Sequence, residues 1–272
     1  MASRQAGAPG PAPNPRPSDG FRLPRSRRLT IPGRLLVGTS GFAYRDWAPR
    51  FYPVDVPERE LLRAYAAQLP ACELNNTFYR SPSEGAIDGW LAATPPEFRF
   101  AVKAQRGGSL RALTVDPGTS VPWLTNPLRR FGERLGTVLF RVPVEIERDD
   151  ARLTALLECW PHDIRLTLEF QHSSWHVDET FSALAQVGAV QCVTDLDHLE
   201  KPPPIRRTGG FLYLRLRRTG YDEAGLAAWA ARLEPFLAAG DDAFVFFRHD
   251  ADGESALRAL RLAALLGSGP GS

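Results

Sequence analysis

Phe211-Leu-Tyr-Leu-Arg-Leu-Arg-Arg218 is a short apolar run that ends in a charged cluster. About seven further runs of this form are spread along the chain. They begin at Leu35, Ala71, Phe98, Thr137, Ile164, Ala189 and Ala243. Buried parallel strands read as nearly continuous apolar runs. The repetition therefore predicts about eight buried strands, each followed by polar residues.

Helical periodicity fills most of the intervals between these runs. The clearest helical segments are 58–68, 148–159, 178–186, 222–239 and 254–266. Alternating strands and helices predict a parallel sheet, and about eight right-handed units close into a barrel. We predict an α/β fold with a single (β/α)8 TIM-like barrel; an open doubly wound sheet is the alternative. Residues 104–121 are predicted to form a lid or binding loop, and residues 196–210 a rigid proline-rich loop.

Three segments are expected along the chain. Residues 1–32 form a disordered extension rich in proline and arginine, residues 33–266 form the barrel, and residues 267–272 form a flexible tail. The net charge of +2 does not indicate nucleic acid as a partner, although it leaves that partner open. Three cysteines without a CxxC pair favour a reducing cytoplasm, and no apolar stretch is long enough to span a membrane. The oligomeric state is left open.

The polar residues that follow the strands are the candidate functional residues. In a parallel barrel, the carboxyl ends of the strands surround the active site. Glu73 and Glu169 are candidates for an acid/base pair, and His172 for a proton shuttle or orienting group. Lys103 is a candidate base or Schiff-base lysine, or a group that neutralises carboxylates or binds an anion.

Arginines also follow three of the strands, and they suggest a small anionic ligand. Guanidinium groups match carboxylate and phosphate oxygens, but internal salt bridges are an equally open interpretation. The candidate substrate-binding residues are Tyr44, Asn75, Tyr79, Arg141, Trp175, Arg215, Arg217, Tyr221 and Arg248. No cofactor is predicted. A divalent metal held by Glu73, Glu169, His172 and Asp195 is the alternative.

The ordered segments of the chain resemble the YecE-like family, domain of unknown function 72. The resemblance rests on Val37-Gly-Thr-Ser-Gly-Phe-Ala-Tyr44, Glu73-Leu-Asn-Asn-Thr-Phe-Tyr-Arg80, Glu169-Phe170 with His172-Ser-Ser-Trp175, and Tyr213-Leu-Arg-Leu216. It implies a TIM barrel and leaves the reaction open.

The chain also departs from the family pattern, so the resemblance implies a divergent member. Residues 105–113 lack the family's Thr-His pair, and Gln171 replaces an arginine. Arginine stands at 141 in place of glutamine, at 217–218 in place of His-Gly, and at 248 in an ending that is usually rich in asparagine.

Three functions remain open from the sequence. The first is an enzyme of the hydrolase, isomerase or lyase class, doing acid/base chemistry on a small phosphorylated or sugar-like anion. In that hypothesis Lys103, Arg215 and Arg248 bind the anion. The second is a metal-dependent phosphoesterase or nuclease. The third is a barrel that binds a ligand without catalysis.

Overall fold

The computed structural model describes residues 1–2 and 32–267, and these contain eight parallel strands and eight α-helices. Within these residues, one α-helix follows each strand, except that two follow the third strand and none follows the sixth. The strands are β1 Leu35–Thr39, β2 Ala71–Leu74, β3 Arg99–Lys103, β4 Leu135–Val142, β5 Leu166–Phe170, β6 Val190–Asp195, β7 Phe211–Leu216 and β8 Asp242–Phe247. The helices are α1 Leu61–Ala66, α2 Glu84–Ala93, α3 Arg106–Thr114, α4 Pro117–Thr125, α5 Asp150–Cys159, α6 Asp178–Gln186, α7 Glu223–Ala238 and α8 Glu254–Leu265. Each strand begins within two residues of its predicted start.

The strands form one sheet in the order β1-β8-β7-β6-β5-β4-β3-β2. A bridge between Ser40 and Glu73 brings β1 beside β2, where the Gly41 N–H donates to the Glu73 carbonyl oxygen at 2.9 Å. The nearly closed sheet confirms the (β/α)8 TIM-like barrel. The open doubly wound sheet is excluded.

A tyrosine hydroxyl lies between β1 and β2, where the barrel closes. Tyr65 Oη accepts from the Thr39 N–H at 2.8 Å and donates to the Ala71 carbonyl oxygen at 3.0 Å. The strands approach so closely that a Cβ on Gly38 would lie 1.9 Å from the Ala71 oxygen. Glycine is therefore required at position 38 for sheet closure.

The buried side chains divide into two layers, because alternate residues of a strand face opposite sides. The interior layer fills the barrel and consists of Leu36, Ala71, Ala101, Leu139, Val190, Cys192, Phe211, Tyr213, Phe244 and Phe246. The outer layer packs strands against helices and includes Val37, Val102, Phe170, Val193 and Val245. Polar residues that continue the interior positions toward the carboxyl ends must face the barrel mouth.

Two irregular segments were predicted as loops. The lid or binding loop predicted at 104–121 is wrong, since helices α3 and α4 occupy most of it. Gln105 and Asp116 begin these helices by accepting hydrogen bonds from Gly108 and Thr119, capping signals that the glycine and proline content obscured. The loop predicted at 196–210 is confirmed. The predicted disorder of 1–32 and 267–272 concerns residues that lie almost entirely outside the described ones, so it stays a prediction.

Candidate functional site

A buried ion-pair network occupies the centre of the barrel mouth. Arg215 on β7 donates from Nη2 to Glu73 Oε1 at 2.8 Å, and from Nη1 to the two Glu169 oxygens at 2.8 and 2.9 Å. All three side chains are almost completely buried. The strands β2, β5 and β7 supply one member each, so the network forms only when the barrel closes.

Neutral side chains complete the hydrogen bonding of the two carboxylates. Ser40 Oγ donates to Glu73 Oε1 and Tyr213 Oη to Glu73 Oε2, both at 2.7 Å. Thr194 Oγ1 donates to Glu169 Oε1 at 3.0 Å. Ser40, Thr194 and Tyr213 were not predicted as site residues from the sequence, although Tyr213 shares one face of β7 with Phe211 and Arg215 and could have been placed in the interior on that ground.

The pKa values of both carboxyls are shifted in the same direction. Burial opposes ionisation of Glu73, but the Arg215 charge and the hydrogen bonds from Tyr213 and Ser40 outweigh it and lower its pKa to about 2. Burial likewise opposes ionisation of Glu169, and Arg215, followed by Arg141, lowers its pKa. Arg215 binds both carboxylates and lowers both pKa values, so the surroundings favour the ionised form of each glutamate rather than the different protonation states that an acid/base pair needs.

Lys103 lies beside this network, but its surroundings disfavour its charged form. Its Nζ stands 3.9 Å from the centre of the Phe78 ring, and only 7% of the residue is exposed. Burial, followed by repulsion from Arg215, lowers its pKa to about 8, because the attraction of Glu73 and Glu169 is too weak to compensate. Within the described part of the chain no carboxylate lies within 4.0 Å of Nζ. The pKa of Lys103 therefore lies well below that of an ordinary lysine.

Two further arginines approach the mouth, Arg141 with a salt bridge to Glu169 that Arg215 shares and Arg217 beside Arg215. Arg141 Nε lies 3.5 Å from Glu169 Oε2, is buried, and makes no hydrogen bond to a described residue. Arg217 is half-buried, and burial, followed by repulsion from Arg215, lowers its pKa. Arg248 is exposed at the rim. Lys103, Arg141, Arg215, Arg217 and Arg248 thus bring five cations to the mouth and its rim, whereas the two carboxylates of the central network, Glu73 and Glu169, both bind Arg215.

Several predicted site residues lie away from this network. His172 Nδ1 contacts Ser174 Oγ at 2.8 Å and accepts from its N–H, so the imidazole caps a helical turn. Trp175 is fully buried and donates to the Ile146 oxygen. Tyr79 is 80% exposed. These contacts do not join the three side chains to the ion-pair network.

Tyr44, Asn75 and Tyr221 are the remaining aromatic and amide residues that were predicted to bind substrate. Tyr44 stacks on His249 with ring centres 5.0 Å apart, and its hydroxyl donates to the backbone carbonyl oxygen of Ser40. Asn75 is half-buried at the end of β2. Tyr221 donates to Asp195 Oδ2 at 2.9 Å.

The proposed metal ligands are not brought together. Asp195 accepts from Arg218 at 2.8 Å as well as from Tyr221, and lines a cavity of about 650 Å³ beside Trp229 of α7. It thus points to the outer side of β6, whereas Glu169 points inward. Residues 1–2 and 32–267 contain no cluster of three His, Cys, Asp or Glu side chains arranged to hold a metal ion. The alternative set of Glu73, Glu169, His172 and Asp195 is therefore wrong as a metal site.

The fold and mouth define a TIM-barrel protein with a buried ion-pair network and an excess of positive charge at the carboxyl ends of its strands. Residues 36–271 match the family described as "Protein of unknown function DUF72", and the chain belongs to that family. No helix in the described residues is long and apolar enough to cross a membrane.

Three relatives illustrate the similarity. The UPF0759 protein YunF of Bacillus subtilis is 23% identical over 269 residues, which covers 85% of this chain and 94% of YunF. A DUF72 family protein from Thermotoga maritima has a TM-score of 0.74 and 26% identity, over 86% of this chain and 99% of its own. A DUF72 family protein from Enterococcus faecalis has a TM-score of 0.69 and 18% identity, over 87% and 99% of the two chains. The last similarity concerns the fold alone.

Proposed function

We propose that the barrel mouth binds a small organic anion and that Lys103 acts on it as a general base. The observation that carries the proposal is the set of cations that Glu73 and Glu169 leave without full neutralisation. Buried charge without a partner is costly, so a site that keeps such charge is suited to a ligand of opposite sign. Carboxylates and phosphates are the anions that arginine forks bind best. The cytoplasm, where the three free cysteines would stay reduced, is the proposed compartment.

The roles of the glutamates change in this proposal. Glu73 and Glu169 bind Arg215 and contribute to the electrostatic potential of the mouth, whereas Lys103 accepts and returns the proton. At neutral pH a fraction of Lys103 is the free amine, which can accept a proton from a carbon or hydroxyl of the bound anion. The amine becomes an ammonium, and Arg141 and Arg217 stabilise the negative charge left on the substrate. The ammonium then returns the proton to the product.

Calorimetry with inorganic phosphate tests the anion site. We expect the wild-type chain to bind phosphate, and Arg217→Gln to weaken binding at least tenfold. Arg261→Gln is the matched control, because Arg261 is half-exposed on α8 and pairs with Glu223. Affinity should fall as the pH rises through about 8, since Lys103 then loses its charge. Absence of phosphate binding, or an equal loss in both variants, would contradict the anion site.

Solvent exchange tests the general base. Pyruvate is incubated with the protein in D2O, and deuterium incorporation at its methyl group is followed by proton NMR. Exchange by the wild-type chain that disappears in Lys103→Met supports the base. Phosphate binding without Lys103-dependent exchange refutes the base for this carbon acid and favours a barrel that binds its ligand without catalysis.

A further inference from the structure

The barrel wall opens between β5 and β6. Their pairing consists of Thr167 opposite Val190 and Leu168 opposite Gln191, after which the two strands diverge. Beyond this point each strand continues to pair on its other side. The Gln171 N–H donates to the Val142 oxygen of β4 at 3.1 Å, and the Arg217 N–H donates to the Asp195 oxygen of β6 at 2.9 Å.

Side chains take the place of the missing backbone pairing. The N–H and C=O of one peptide group point in opposite directions, so the Phe170 carbonyl faces away from β4, toward β6. His176 Nε2 contacts that oxygen at 3.2 Å, and Gln191 Nε2 of β6 contacts His176 Nδ1 at 3.2 Å. An imidazole protonated at Nε2 satisfies both contacts, with His176 donating to Phe170 and accepting from Gln191. The divergence is therefore stabilised by hydrogen bonds and is part of the fold.

A cavity of about 610 Å³ passes through this opening, and we refer to it as the lateral cleft. It is lined by Cys192 of the interior layer and by Phe170 and Val193 of the outer layer. A regular sheet would separate these side chains by its backbone. The inner end of the lateral cleft reaches Glu169, and the outer end lies between Phe181 and the proline-rich loop.

Apolar side chains supply the larger part of the lining of the lateral cleft, namely Val144, Phe170, Phe181, Val193, Leu196, Leu199, Pro203 and Pro204. Polar side chains also line it, namely Glu169, Gln171, His176, Gln191, Thr194, His198 and Arg206. The volume falls within the range of about 300–1,000 Å³ that holds small ligands. Next to the inner end, Arg215 and Arg141 supply positive charge. The inner end of the lateral cleft therefore meets Glu169, the carboxylate that both arginines contact.

We propose that the lateral cleft receives the apolar or aromatic part of the same ligand whose anionic group binds at the barrel mouth. The substrate class is then an amphipathic organic anion, a carboxylate or phosphate that carries an extended apolar group. This inference rests on the proposed function. It goes beyond it by assigning a second subsite and by excluding the smallest anions as the preferred ligands.

Calorimetry with 1-naphthyl phosphate and inorganic phosphate tests the two ends separately. We expect the wild-type chain to bind 1-naphthyl phosphate at least tenfold more tightly than inorganic phosphate, because the naphthyl ring leaves water for the cleft. If inorganic phosphate binds and the naphthyl group adds no affinity, the lateral cleft is not a subsite and the anion site stands. If neither compound binds, the anion site itself is refuted, and this inference with it.

A variant that fills the lateral cleft provides the second comparison. Leu199 is half-buried in the loop that lines the cleft, and Leu199→Trp should remove most of the naphthyl advantage while leaving phosphate affinity within twofold. Leu265→Trp, at an exposed leucine of α8, is the control. Leu196→Trp on the same loop repeats the test if the first variant unfolds. An unchanged naphthyl advantage in a folded cleft variant would overturn the assignment.

Discussion

The titration of Lys103 is the most direct quantitative prediction. The lysine is buried beside Arg215, and these surroundings lower its pKa from 10.5 to about 8. Roughly a tenth of the side chain is then neutral at pH 7, whereas an ordinary lysine with a pKa of about 10.4 is neutral in less than a thousandth of molecules. The role of Lys103 as a general base depends on this larger neutral fraction at pH 7.

The composition of the chain makes the measurement simple. Lys103 and Lys201 are its only lysines, so ¹³C-lysine labelling gives two Cε signals to follow against pH by NMR. Lys103→Met assigns the signals, and Lys201, which is exposed, serves as the internal reference. We expect the Lys103 signal to titrate near pH 8, and added phosphate to raise its pKa because a bound anion stabilises the ammonium form.

The pH dependence of stability gives an independent check on the pKa of Lys103. A lysine in a typical ion pair stabilises the folded state while it is charged, whereas Lys103 is expected to destabilise it. A lysine whose folded pKa is lowered destabilises the fold while it stays charged, and this penalty is relieved as the pH rises from about 8 toward 10.5. Lys103→Met should therefore raise the melting temperature at pH 7 and lose that advantage at pH 10. A Lys103 signal that titrates at or above 10.5 would refute both the lowered pKa and the role of Lys103 as a base.

Three further predictions concern the framework of the site. Arg215→Met leaves two buried carboxylates without their cation and should lower the free energy of unfolding by about 3–5 kcal/mol in urea titrations; Arg261→Met, at an exposed pair, should change it by less than about 1 kcal/mol, and equal losses would argue against the buried network. Because the pKa of Glu73 is lowered, its ionised form stabilises the fold above about pH 4.5, and this stability is lost as the pH falls toward 2. Glu73→Gln should therefore flatten the plot of unfolding free energy against pH in this range. An unchanged slope would assign the loss of stability in acid to other groups. Gly38→Ala should cost about 1–3 kcal/mol because its Cβ would overlap the backbone of β2, whereas Gly85→Ala, with open space around its Cβ, should be neutral or stabilising, and a tolerated Gly38→Ala would show that β1 and β2 can separate.

The sequence predicted the barrel because its signal is local and repeated. The apolar run from Phe211 and its seven counterparts each indicate a buried strand, and their order allows few topologies. The polar residues at or just past the ends of the runs indicated the barrel mouth, so Glu73, Lys103, Glu169 and Arg215 were predicted there, and the structure places them there. The lid or binding loop predicted at 104–121 was wrong. The two helices there begin at single capping side chains, Gln105 and Asp116, and these lie in a stretch rich in glycine and proline that reads as a loop.

By itself, then, the sequence determined the fold class, the end of the barrel at which the candidate site lies, and the excess of arginine there. Only the tertiary structure decided the charge state and the shape of that site. Arg215 pairs with Glu73 across 142 positions of the chain and with Glu169 across 46, and no local pattern encodes such partners. The pKa of Lys103 and the opening between β5 and β6 have the same origin. Both depend on distances and burial that arise only when separate strands are brought together around one interior.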